Sequence, residues 1–159
     1  MQLYQMTLQS ACGPLSVLYD GSDTVYHIDF PDQGDRQERL LKRRFKSFQL
    51  TDQDNAALAQ PFQAYFAGEL PALQAVAFKA GGTVFQRKVW QALRTIPIGT
   101  TCSYRDLAHQ IGQPRAVRAV ANANANNPIS LLIPCHRFIG SDGTLTGYAG
   151  GLAHKEWLL

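Results

Sequence analysis

Between Thr83 and Pro128 the chain starts a helix three times and stops it three times, and few folds accommodate that punctuation. Thr83-Val84-Phe85-Gln86 has the spacing of a capping box, in which a hydroxyl and an amide three residues apart satisfy backbone N–H groups that the first turn leaves unpaired. Phe85, Val89 and Leu93 follow at helical intervals, and this helix ends near Pro97. Ser103 offers a second cap with Asp106 three positions on, and Leu107, Ala108 and Ile111 give its buried stripe up to Gly112. After Gln113-Pro114 a third helix is expected over Arg115–Ala125, with Val117, Val120 and Ala121 inward, until Asn127-Pro128 breaks it. Two short helices joined by a glycine-containing turn make a helix-turn-helix.

The segment before Gly81-Gly82 has a different character. β-rich runs around Leu3–Gln9, Leu15–Tyr19 and Val25–Phe30 are separated by Cys12-Gly13-Pro14 and Asp20-Gly21-Ser22-Asp23, which is turn chemistry and predicts a small antiparallel meander. Arg36–Phe48 reads as a helix with Leu40, Leu41, Phe45 and Phe48 inward and a basic outer face, ordinarily a solvated face rather than a binding site. A further helix is expected from Pro61, in its first turn, to Gly68. The predicted class is α+β: residues 1–80 form a small antiparallel sheet with helices. Residues 83–159 form a mostly helical domain, with the helix-turn-helix and a short strand, Ile129–Ile133, leading to Cys135.

Charge divides along the same line. Residues 1–82 carry seven Lys/Arg against nine Asp/Glu, and residues 83–159 carry eight against three, so the C-terminal half is the better candidate for a polyanion surface. No run approaches the roughly 18 apolar residues of a membrane span. Met1-Gln2-Leu3-Tyr4-Gln5 lacks the parts of a signal peptide, so a soluble, unexported, cytoplasmic protein without membrane contact is expected. Cys12, Cys102 and Cys135 are odd in number and widely spaced, which argues against a disulfide framework and suits a reducing compartment. His27, His109, His136 and His154 show no ligand spacing with them, so no metal is expected.

On the third expected helix Arg115, Arg118 and Asn122 share a face among small residues (Ala116, Ala119, Ala123, Ala125), letting a thin helix approach a duplex closely; an alanine-rich helix packed inside a domain would read the same way. The apolar run then delivers Pro134-Cys135-His136-Arg137. Cysteine reacts as thiolate, which neighbouring His and Arg favour, whereas Cys12 and Cys102 lack such neighbours and read as packing. Consecutive side chains of an extended segment point apart, so His136 would need a water or a local turn to reach the Cys135 sulfur. The glycine-rich stretch from Gly140 to Gly151 is either a surface loop or a close-fitting wall, with Tyr148 offering an apolar face to a flat ligand.

Asn127-Pro128, Ile133-Pro134-Cys135-His136-Arg137, Gly147-Tyr148-Ala149-Gly150-Gly151 and Lys155-Glu156-Trp157-Leu158-Leu159 together resemble the signature of the O6-alkylguanine-DNA alkyltransferases. Matches continue back through Phe85-Gln86, Val89-Trp90, Ile96-Pro97, Gly99, Ser103-Tyr104, Leu107-Ala108 and Arg118-Ala119-Val120, closely over 83–159 and loosely before. The resemblance is to the bacterial constitutive type. It implies single-turnover repair in which an alkyl group moves from O6 of guanine, or from O4 of thymine, onto Cys135, with no cofactor, by a monomer on the minor groove of double-stranded DNA.

Within that scheme Cys135, His136, Tyr104, Asn127 and Lys155 are the catalytic set. Arg118, Ala119, Ser103, Asn122, Arg115 and Asn124 contact DNA, Arg118 filling the space of the flipped guanine, and Arg137, Phe138, Gly147, Tyr148, Ala149 and Gly150 line the base pocket. Ala149 stands where some members carry serine. In that family a glutamate a few residues beyond the Leu158-Leu159 position orients the histidine; the sequence stops at Leu159, which leaves that carboxylate open. The alternative is a non-enzymatic alkylated-DNA-binding relative, which in this superfamily has tryptophan at the cysteine position.

Overall fold

A computed structural model of the chain describes residues 1–10, 13–30, 34–96, 102–129, 131–133 and 138–139. They fall into two compact units, Met1–Ala80 and Gly81–Leu159.

The first unit is built on a four-stranded sheet in the order β3-β2-β1-β4. β1 (Gln2–Leu8), β2 (Leu15–Tyr19) and β3 (Val25–Asp29) form the expected antiparallel meander. Every residue of β2 and β3 is buried, which makes them the core of this unit. The Asp20 carboxylate accepts from the Ser22 and Thr24 backbone N–H groups at 2.8 and 3.1 Å, shaping the hairpin between them.

Helix α1 (Gly34–Arg44) stops four residues short of the expected Phe48. The reason is the Arg44 guanidinium, which donates to the carbonyls of Tyr26 and Lys79 at 2.9 and 2.6 Å and ties the helix end down. Phe45 and Phe48 then pack on a core of Leu3, Leu18, Tyr26 and Leu41 while the chain turns toward the sheet. β4 (Gln49–Asp52), a strand the periodicity did not announce, pairs parallel with the free edge of β1.

Helix α2 (Ala56–Phe66) begins five residues before Pro61, which lies inside it. The start is set by Asn55, whose side-chain oxygen accepts from the Leu58 N–H at 3.0 Å. A 3₁₀ helix over Leu70–Ala75 follows.

In the second unit α3 (Val84–Arg94) carries both halves of the Thr83/Gln86 capping box, at 3.1 and 2.9 Å, and buries Val89, Trp90 and Leu93. β5 (Cys102–Ser103) leads into α4 (Tyr104–Gln110), capped by the Ser103 hydroxyl on the Asp106 N–H at 3.0 Å. α5 (Val117–Ala125) packs against α3 and α4. It starts two residues later than expected, because the Ala116 N–H closes a turn onto the Gln113 carbonyl and leaves Arg115 in that turn. β6 (Phe138–Ile139) runs parallel to β5.

The run Ile129–Ile133 is a turn among its described residues, not the strand its composition suggested. The Ile133 N–H bonds to the Ile129 carbonyl at 3.0 Å, and Leu131 adopts φ +71°.

Candidate functional site

Two faces of α5 divide its residues sharply. Arg118, Ala119 and Asn122 are exposed, while Val120, Ala123 and Asn124 are buried. The exposed face is a short basic and amide surface with a methyl between, narrow enough for backbone-close contact with a duplex. Arg115 is exposed too, but from the preceding turn rather than the helix. Two of the expected DNA contacts have buried side chains. Asn124 is 1% exposed, and its buried Oδ1 has no hydrogen-bond partner among the described residues, because it lies on the inner stripe with Val120 and Ala123. The Ser103 hydroxyl is buried and committed to capping α4.

Asn127 is fully buried just past the C-cap of α5. Its Nδ2 donates to the Ile133 carbonyl at 2.9 Å, and its Oδ1 accepts from the Ile129 N–H at 2.9 Å. One amide thus clasps both ends of the turn that continues to Cys135. On the other side of Cys135 in sequence, Phe138 is paired with Cys102 and Ile139 with Ser103, the residue that opens α4 and precedes the half-buried Tyr104. Chain on both sides of Cys135 is therefore fastened, upstream to the end of α5 and downstream to the start of α4. Cys135 itself lies outside the described residues, as do His136, Arg137, Gly147, Tyr148, Ala149, Gly150 and Lys155; of Phe138 only the backbone is described.

Cys102 behaves as the packing residue expected of it. Burial, and secondarily the Asp106 charge, push its thiol above the usual range, and its Sγ lies 3.3 Å from the Ser103 carbonyl. The basic run of α1 divides among several tasks: Arg36 is buried against Asp29 at 2.6 Å, Lys42 pairs with Glu38 at 2.7 Å, and Arg44 holds carbonyls. The open groove on that helix is lined by Asp35 and Glu38 as well as Arg39, Lys42 and Arg43, so it does not concentrate one sign of charge. Among the described residues no group of three or more His, Cys, Asp or Glu side chains is placed to hold a metal ion. Trp90 has no role legible in its spacing; its buried N–H donates to the Ala123 carbonyl of α5 at 3.0 Å.

Comparison with known proteins points the same way as this geometry. Residues 84–159 match the family model described as the DNA-binding domain of 6-O-methylguanine DNA methyltransferase. A methylated-DNA–protein-cysteine methyltransferase of Salmonella typhimurium is 44% identical over 162 residues, covering 100% of this chain and 95% of the relative. One of the same name from Methanosarcina barkeri is 54% identical, covering 99% and 95%. Among solved structures, that of Mycobacterium tuberculosis OGT in complex with DNA superposes with a TM-score of 0.80 at 37% identity, covering 99% of this chain and 90% of that one.

Proposed function

Because this chain belongs to the methylated-DNA–protein-cysteine methyltransferase family, we infer that it repairs alkylated DNA directly, by moving a methyl group from O6 of guanine onto a cysteine of its own. The acceptor is Cys135. The observation that carries this assignment is the double fastening around it, by Asn127 at Ile133 and by β5 at Phe138, immediately after a helix that exposes Arg118, Ala119 and Asn122. A nucleophile that must meet one carbon of a rotated base needs such a fixed approach.

The partner is double-stranded DNA. In our scheme α5 enters the minor groove, where Ala119 permits close approach and Arg118 fills the gap left by the rotated guanine. Asn122 and Arg115 contact the flanking backbone; Asn124 and Ser103, both buried, are not assigned to DNA. His136 takes the Cys135 proton through a water. The thiolate attacks the methyl carbon, the new S–C bond forms as the C–O6 bond breaks, and the electron pair passes to guanine, which gains a proton from Tyr104. Arg137, Phe138, Gly147, Tyr148, Ala149 and Gly150 enclose the base, and Lys155 supports the site.

Thiol and methyl ether become thioether and guanine without any electron or group from elsewhere, so the step balances with no cofactor. The thioether is stable, and each molecule reacts once. No helix among the described residues is long and apolar enough to cross a membrane; an acceptor that must remain a free thiol suits the reducing cytoplasm.

Titrating a fixed amount of protein with excess duplex carrying O6-methylguanine tests this reading. Lesion loss should plateau at one per protein and vanish in Cys135→Ser. Continued turnover would contradict single use, and lesion binding without any loss would leave a damage-binding protein.

A further inference from the structure

Trp90 lies on the inner side of α3 with 3% of its surface exposed. Its indole N–H is aimed at the Ala123 carbonyl, in the last turn of α5, where helix carbonyls run out of partners within their own helix. That carbonyl already receives the Asn126 N–H at 3.2 Å, so the indole adds a second donor at the point where a helix end would otherwise fray. Four residues after Ala123, Asn127 begins its clasp on Ile129 and Ile133.

The ring is confined from its far edge as well. Gly82, with φ +82°, comes so close that a β-carbon there would sit 2.7 Å from two carbons of the Trp90 ring and 2.9 Å from the Gln86 side-chain oxygen. Only glycine fits, both for the left-handed backbone and for the space. Gln86 is the residue whose amide closes the capping box on Thr83, so the start of the unit, its first helix cap and the indole form one packed group.

We propose that Trp90 is a positioning residue for methyl transfer: wedged against Gly82, its N–H fixes the last turn of α5 and, through Asn127, the turn that carries the chain to Cys135. The inference rests on the methyl-transfer reading above. The residues assigned to DNA, Arg118, Ala119 and Asn122, are exposed, the first two a little over one turn upstream of Ala123 and the third next to it, whereas Ala123 itself is buried. Loosening the indole anchor therefore slows transfer while leaving DNA affinity nearly intact.

Trp90→Phe keeps a ring against Gly82 and removes only the donor, and Gly82→Ala drives a methyl into the ring from the other side. Each would be compared with wild type in two assays, at a temperature where thermal melts show the variants folded. One is the first-order transfer rate from an O6-methylguanine duplex at saturating protein; the other is the Kd for the undamaged duplex by fluorescence anisotropy. The expected result for Trp90→Phe is a rate reduced about fivefold or more, as removal of one buried hydrogen bond implies, with Kd within about twofold. Gly82→Ala should move the same quantity, and the double variant should be no slower than the product of the two single effects, since both act on one contact. An unchanged rate in both variants, or a weakened Kd with the saturated rate preserved, would overturn the proposal. A wild-type protein that transfers no methyl overturns the functional reading itself, an outcome visible before any variant is measured.

Discussion

Replacing Asn127 with alanine tests whether one side chain holds the acceptor turn. The amide makes two hydrogen bonds of 2.9 Å, from Nδ2 to the Ile133 carbonyl and to Oδ1 from the Ile129 N–H, and all three residues are 1% exposed or less. Alanine takes the side-chain partner from a buried donor, the Ile129 N–H, and a buried acceptor, the Ile133 carbonyl. At about 1–3 kcal/mol for each unsatisfied group, the change removes about 2–6 kcal/mol, and about 1–3 where a water enters the vacated volume and satisfies one of them. Against a typical total of about 5–15 kcal/mol, that is a large fraction of the stability. Asn127→Asp should be no better: it keeps the acceptor for Ile129 but turns a second oxygen, with buried charge, toward the Ile133 carbonyl.

Urea unfolding followed by tryptophan fluorescence is the assay, because both tryptophans, Trp90 and Trp157, belong to the second unit and report on it without the first. A destabilisation under about 0.5 kcal/mol in Asn127→Ala, with Asn127→Asp equally tolerated, would refute the claim that this amide holds the turn, since that is the scatter of ordinary surface substitutions.

Further outcomes follow from other sites. Arg115→Gln should weaken binding to undamaged duplex and lower the slope of log K against log salt by about 0.9 for each phosphate it no longer neutralises, with the melting temperature unchanged, as read by anisotropy from low to moderate salt. Thr83→Ala opens the capping box of α3 and should cost about 0.5–2 kcal/mol in the same fluorescence-detected unfolding. Arg36→Met strips the cation from the buried Asp29 carboxylate and should destabilise the first unit by about 3–5 kcal/mol, followed by far-UV circular dichroism. His27, 1% exposed, has its pKa lowered by burial, which outweighs the opposing pull of Asp29 at 3.5 Å. The unfolded chain therefore takes up a proton that the folded chain refuses, and stability falls as pH drops below the ordinary histidine value of 6.5. His27→Gln should flatten that part of the profile of melting temperature against pH; an equally steep profile would remove His27 from the account.

What the sequence disclosed was local chemistry. Thr83 with Gln86 and Ser103 with Asp106 act within one helical turn, so their spacing suffices to locate two helix starts. β4 escaped because Gln-Leu-Thr-Asp has no hydrophobic alternation and becomes a strand only by meeting the edge of β1, far earlier in the chain. Ile129–Ile133 misled for a related reason: five residues of apolar, β-branched and small character suit a strand, but the Asn127 amide satisfies the backbone that would have paired in a sheet. Pro61 suggested a helix start, and the better cap at Asn55 placed it more than a turn earlier. On α5 the helical spacing put Asn122 on a face with Arg118, and Asn122 is exposed; Asn124, two residues on, lies on the buried stripe packed against α3 and α4.

In this scheme Cys135 alone receives the alkyl group. Protein incubated with a duplex whose O6-methylguanine carries a trideuterated methyl, then digested and mapped by mass spectrometry, should show one trideuteromethyl on the peptide containing Cys135 and none on those containing Cys12 or Cys102. A label on either of the other cysteines, or restored guanine with no label on any, would contradict the account.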